Sequence, residues 1–213
     1  MRVLFLSVIL TGCVVAGLLG EPCPGQRTVL ADTGSDAKLQ LTTTLLDARY
    51  CSRTHFELRL RLDFTNVGKR QIILYKNSSV IGAYMISRDE RSAEQKKYEI
   101  NVAPMKTFSS SGLQLTRPDE SMFTILDANQ VHSIETTMAL PISRTPDIPS
   151  DYVGAGDHVL QLNIWTWYYQ PPMAQEYRKK WSRKGDLWST SVLSSPMPFT
   201  IASKPQVVNC QEP

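Results

Sequence analysis

The sequence has no Gly-x-Ser-x-Gly turn, no Cys-x-x-Cys pair, no glycine-rich phosphate loop and no Asp-x-Asp-x-Asp-Gly calcium loop. Each absence removes a class of chemistry. Without the first there is no recognisable seat for a nucleophilic serine. Without the second there is neither a dithiol redox motif nor a zinc knuckle. The other two would have marked nucleotide and calcium sites. Histidine is scarce, with only His55, His132 and His158. His132 and Glu135 are three apart in an extended stretch and so point to opposite faces. Asp157 and His158 are adjacent and diverge in the same way. Cys51 and His55 lack a third group to orient them. No metal or cofactor is therefore expected, and an enzyme is the less favoured reading. A hydrolase remains as a third alternative, because two carboxylates or a Ser/His pair could still converge in space.

Charge of one sign is also lacking. The 23 basic and 20 acidic residues leave a net of +3, too little for a nucleic-acid binder, whose footprint is strongly basic. Nor is the chain a disordered polyelectrolyte, since 42% of its 213 residues are hydrophobic. That composition supports one sizeable core.

The sequence contains one long apolar run. Met1-Arg2 gives a positive start, residues 3–19 are uncharged and mostly apolar, and Gly17 and Gly20 precede Glu21-Pro22. This is the order of a secretory signal peptide over residues 1–20, with cleavage after Gly20 or after Ala16. Leu10-Thr11-Gly12-Cys13 matches the bacterial lipoprotein box, so lipidation of Cys13 is an alternative. An uncleaved N-terminal anchor is a third, although 17 residues sit at the short end of the spanning range. All three readings place residues 21–213, taken as a single domain, outside the cytoplasm: periplasmic, cell-surface or secreted. Beyond the signal stand Cys23, Cys51 and Cys210. An odd count in an exported protein suggests one disulfide and one remaining thiol. Cys23–Cys51 is the first choice and Cys51–Cys210 the next. Asn77-Ser78-Ser79 fits the N-glycosylation rule.

The rest of the sequence is organised around residues 55–65. Phe56, Leu58, Leu60, Leu62 and Phe64 alternate without a break with Glu57, Arg59, Arg61 and Asp63. Alternate side chains on an extended chain face opposite ways, so this strand has an apolar face and a charged one. Asn66-Val67-Gly68 reads as a turn with Asn and Gly in unusual backbone angles, returning residues 71–75 as the strand's partner. Other strands are expected at 27–31, 39–45, 80–86 (central, covered on both faces), 98–102, 122–126, 131–142, 159–167, 198–202 and 206–210. In 131–142, Ile134, Thr136, Met138, Leu140 and Ile142 share a face. In 159–167, Leu160, Leu162 and Ile164 share one. Residues 88–97 are charged and read as a solvated loop or hairpin tip. A helix is expected only at 173–184. There Met173, Tyr177 and Trp181 are four apart, Pro172 is at the start and Gly185 at the end.

Short strands separated by turn residues point to an all-β antiparallel sandwich with one short helix inserted before the last strands. The hairpin pattern FxLxLxFTNxGxxxIxLY over residues 56–75 resembles the early strands of bacterial immunoglobulin-like domains. The resemblance implies an immunoglobulin-like sandwich and carries no activity. The Cys–Trp–Cys hallmark of antibody domains is absent.

One segment stands out chemically. Residues 165–188 hold Trp165, Trp167, Tyr168, Tyr169, Tyr177, Trp181 and Trp188, which include all four tryptophans. Residues 171–188 carry Arg178, Lys179, Lys180, Arg183 and Lys184 against Glu176 and Asp186. That excess accounts for the whole positive balance beyond residue 20. The helix aromatics could simply seal an open end of the sandwich while the basic face is solvated. Alternatively the segment binds an anionic polymer or membrane headgroups, or stacks on a glycan. The candidate binding residues are Trp165, Trp167, Tyr169, Tyr177, Arg178, Lys179, Lys180, Trp181, Arg183, Lys184 and Trp188. The expected function is an exported, non-enzymatic binding domain. A protease-inhibitor-like sandwich acting through loops 107–120 and 143–156 is the alternative.

Overall fold

A computed structural model describes residues 36–51, 55–76, 81–104, 117–142, 153–167 and 171–203. All belong to the unit Ser35–Pro213. The strands expected at 27–31 and 206–210, and Asn77, lie outside the described residues.

The described chain is mostly strand. Its elements are β1 (Leu39–Tyr50), β2 (His55–Asn66), β3 (Ile72–Tyr75), β4 (Ile81–Ser87), α1 (Glu90–Glu94), β5 (Ile100–Pro104), a 3-10 turn (Glu120–Met122), β6 (Phe123–Leu126) and β7 (Val131–Pro141). Then come β8 (Gly156–Trp165), α2 (Pro171–Trp181), β9 (Asp186–Leu187), β10 (Ser191–Leu193) and β11 (Met197–Ile201). One sheet has the order β1-β2-β7. A second runs β10-β8-β4-β5, with β11 also on β8, and a small third runs β6-β3-β9. Every pairing is antiparallel except β3 with β9, which is parallel.

The alternation in β2 places its side chains as expected. Phe56, Leu58, Leu60, Leu62 and Phe64 are all at most 3% exposed. Each such burial is worth about 1.5–3 kcal/mol by transfer, enough to fix the register against a one-residue slip, which would turn all five to water. The opposite face forms ion pairs: Arg59 with Glu135 at 2.6 Å, Arg49 with Glu57 at 2.5 Å and Arg61 with Asp63 at 3.1 Å. Leu160, Leu162 and Ile164 of β8, Tyr84 and Ile86 of β4, and Phe199 of β11 meet the β2 face in one core. β7 contributes Met138 and Leu140, with Ile134 packed against them, as its period predicts. Strand β4 lies between β8 and β5, and Ala83, Tyr84, Met85 and Ile86 are all buried, so its uneven apolar run reflects cover on both faces.

Several expectations are corrected. Residues 71–75 do not pair with β2. The neighbours of β2 are β1 and β7, while β3 crosses into the third sheet. The crossover is set by Asn66, which is fully buried and whose Nδ2 donates to the carbonyls of Arg70 and Leu126 at 2.8 and 2.9 Å. Its Oδ1 accepts from the Gly68 amide at 3.0 Å. Neither Asn66 nor Gly68 has a positive φ. Gly68 is required instead by close approach, since a Cβ there would lie 2.2 Å from the Asp36 carbonyl oxygen.

Residues 88–97 contain helix α1 rather than only loop. Asp89 caps it by accepting from the Ser92 amide at 2.6 Å, and Ala93 is buried. The helix near 173 spans Pro171–Trp181, starting two residues earlier and ending three residues earlier than expected. It stops where the Lys184 and Gly185 amides both donate to the Trp181 carbonyl. Short β9 and β10 were not expected. The small-residue end at Gly185 lets β9 approach β3, for a Cβ there would lie 2.7 Å from the Gln71 carbonyl oxygen.

Candidate functional site

Helix α2 lies on the outer side of β3, and the sequence shows why. Ile72 and Leu74 of β3 face the main core, so Ile73 faces the other way. It is covered by Ala174, Tyr177, Trp181 and Leu187, with Phe123, Trp167 and Met173 packed around them. The expected Met173-Tyr177-Trp181 face is therefore the helix's buried face. Phe123 meets Trp181 edge-on at 4.7 Å between ring centroids, and Tyr177 meets Trp181 at 4.7 Å. Such pairs contribute about 0.5–1.5 kcal/mol each beyond area burial. The Tyr177 hydroxyl donates to the Pro118 carbonyl at 2.8 Å, and burial pushes its pKa up.

The opposite side of α2 and the turn after it are basic and wet. Arg178, Lys179, Lys180, Arg183 and Lys184 are all exposed. These five candidates do not share one role. Lys180 pairs with Glu120 and lies 5.8 Å from the Tyr177 ring centroid. The hydrogen bond and charge of Lys180 hold the Glu120 carboxyl below its usual range, and Lys184 adds to the effect. Arg178 donates to the Ser189 hydroxyl at 2.5 Å. Lys179, Arg183 and Lys184 have no ion pair among the described residues. Arg117, outside the segment, adds a guanidinium that grips Glu176 with two hydrogen bonds of 2.5 and 2.6 Å. Part of the basic charge serves the helix itself, because cations in the last turn offset the negative end of its dipole.

The aromatic candidates separate likewise. Tyr177 and Trp181 are buried, and Trp167 and Trp188 are half-buried. Trp165, on the outward side of β8, is 44% exposed. Tyr169 lies outside the described residues. Of the two loop candidates, only 117–120 and 153–156 are described. The first is tied to α2 through Arg117, Pro118 and Glu120.

The remaining candidates for chemistry are dispersed. Cys51 is disulfide-bonded, which removes its thiol from any pairing with His55. Cys13, Cys23 and Cys210 lie outside the described residues. His132 is half-buried while Glu135 is exposed, on opposite faces as their spacing requires. Desolvation, with a smaller contribution from Lys76, lowers the His132 pKa. Among the described residues no group of three or more His, Cys, Asp or Glu could hold a metal ion. No helix among them is long and apolar enough to cross a membrane.

Sequence reasoning missed Arg117, Glu120 and Ser189, the partners of the basic helix. Their sequence separations of 59, 60 and 11 residues leave no local signal.

No family model matches the chain, and no curated protein matches it. Among solved structures, the Northeast Structural Genomics Consortium target SoR45 is similar over 83% of this chain and 93% of its own, at 7% identity and a TM-score of 0.32.

Proposed function

We propose that the protein is an exported, non-enzymatic binding domain that uses the basic side of α2 to hold an anionic polysaccharide. The fold in this reading is an immunoglobulin-like sandwich serving as a rigid scaffold, and residues 1–20 direct export. One observation carries the binding claim. Lys179, in the last turn of α2, and Arg183 and Lys184, in the turn that follows, stand beside a helix whose other side is locked into an aromatic cluster, and they have no ion pair among the described residues. Unpaired cations on a fixed element attract a polyanion at little ordering cost. A membrane surface is less well served, because Tyr177 and Trp181, which could have anchored in headgroups, are inside. For the same reason a glycan-stacking role falls to Trp165, the exposed member of the set.

The experiment is titration of the purified protein with dextran sulfate, using uncharged dextran as control. Each exposed substitution changes stability by about 0.5 kcal/mol or less. The triple variant Lys179→Ala/Arg183→Ala/Lys184→Ala therefore stays folded. It is expected to bind at least tenfold more weakly. Equal affinity in the triple variant rules the reading out.

A further inference from the structure

A cleft of about 480 Å³ opens at the other end of β8, away from α2, between the end of β4, the start of β5 and the segment leading into β8. Its wall includes Ile86, Arg88, Glu99, Ile100, Gly154 and His158. One side chain ties the rim together. His158 is only 8% exposed, and its ring packs 5.5 Å from that of Phe199 on β11. Nε2 lies 2.9 Å from the Gly154 carbonyl oxygen, on the segment leading into β8. Nδ1 lies 3.2 Å from Glu99 Oε2, just before β5.

Both partners are acceptors. An imidazolium has two N–H groups and serves both, whereas the neutral ring has one and must give up a partner. The two partners differ in how readily they move. Gly154 offers a backbone carbonyl on a segment fastened by the Val153 amide, which donates to the Pro141 carbonyl at 3.1 Å. Glu99 offers a side chain that is 42% exposed and free to turn outward. It also has a second cation in reach, because Arg88 Nε stands 3.7 Å from its other oxygen, Oε1. Glu99 thus sits between one permanent cation and one whose charge depends on pH. The other charged groups around the ring are engaged or turned away. Asp157, next in the strand, faces the other way and accepts from the Thr200 hydroxyl at 2.7 Å. Helix α1 touches β8, but its Glu90, Arg91 and Glu94 are exposed and make no ion pair with His158.

We propose that His158 and Glu99 form a pH-dependent latch across the mouth of this cleft. Imidazole changes charge between about pH 5 and pH 8. On the acid side the charged ring holds Gly154 and Glu99 together, and the rim is closed. On the basic side the remaining proton stays on Nε2 with Gly154. Nδ1 then turns a lone pair towards the carboxylate, the two acceptors repel, and Glu99 moves over to Arg88. The rim opens between β5 and the segment leading into β8. Histidine protonation acts as a switch where it biases an element with two arrangements, and the Glu99 side chain is that element. The latch is independent of the basic helix.

NMR of the full protein from about pH 5 to pH 8 tests the latch through three signals: the His158 ring nitrogens, Arg88 Nε and the Ile100 methyls on the cleft wall. As the ring loses its proton, the Arg88 Nε signal should shift with the same midpoint. Relaxation of the Ile100 methyls by the neutral nitroxide 4-hydroxy-TEMPO should rise at least twofold over the same step. Glu99→Gln, at an exposed position, keeps the volume and removes the charge. In that variant the ring should still titrate while both other responses vanish. Any of four results overturns the proposal. These are a ring that keeps one charge state throughout, a neutral ring with its proton on Nδ1, a titrating ring with Arg88 and Ile100 unmoved, and responses that persist in Glu99→Gln.

Discussion

Truncating Trp181 to alanine tests the link between the second core and the basic surface. Trp181 is 4% exposed and touches a cluster formed by Ile73, Tyr177 and Leu187, with Phe123 edge-on to its ring. Removing a buried indole costs about 3–5 kcal/mol in transfer and cavity terms. The loss falls on the junction of α2 with β3, while the face of β2 keeps its own contacts. Urea unfolding followed by far-UV circular dichroism is the assay. Trp181→Ala is expected to lose about 3 kcal/mol or more, and Trp181→Phe less, because it retains part of the packing. Dextran sulfate affinity should fall in the alanine variant although no charge has been removed, because the helix is no longer held. A loss under about 1 kcal/mol, with polymer binding unchanged, refutes the claim that this cluster fixes the basic face.

Other outcomes follow from the same physical arguments. Leu60→Ala, at a fully buried position on β2, should cost about 2–5 kcal/mol in the same unfolding assay. Gly68→Ala should cost about 1–3 kcal/mol, because its Cβ meets the Asp36 carbonyl and the crossover must shift. The folded His132 pKa is depressed by burial, so the unfolded chain binds more protons as pH falls below its usual value. The stabilising contribution is complete above the unfolded pKa and is lost on acidification towards the folded one. His132→Gln should flatten that part of a pH–stability curve between about pH 7 and pH 5. Glu120 titrates below its ordinary range because of Lys180. Carboxyl NMR titration of Lys180→Met should return it towards the normal value, and an unmoved titration contradicts the pairing.

How much was legible in the sequence depends on how local each signal is. The period-two run from Phe56 to Phe64 and the four-residue spacing of Met173, Tyr177 and Trp181 are written in adjacent residues, and both buried faces follow. Strand partners are a different matter. Residues 71–75 look like the return arm of a hairpin, yet Asn66 diverts the chain through bonds to Arg70 and Leu126, the latter 60 residues away. Helix α1 shows no apolar period, because a five-residue helix needs only Ala93 inside and Asp89 as its cap. At the site, the sequence located the basic and aromatic residues but not their division. Burial takes Tyr177 and Trp181 out of contact with solvent, and Glu120 and Ser189 engage two of the five cations.

The central claim is that the α2 face holds an anionic polymer, and amide chemical-shift mapping with dextran sulfate tests it most directly. Perturbations should concentrate at residues 178–184 and diminish as salt screens the charges. Perturbations that centre elsewhere, or that persist unchanged in high salt, contradict it.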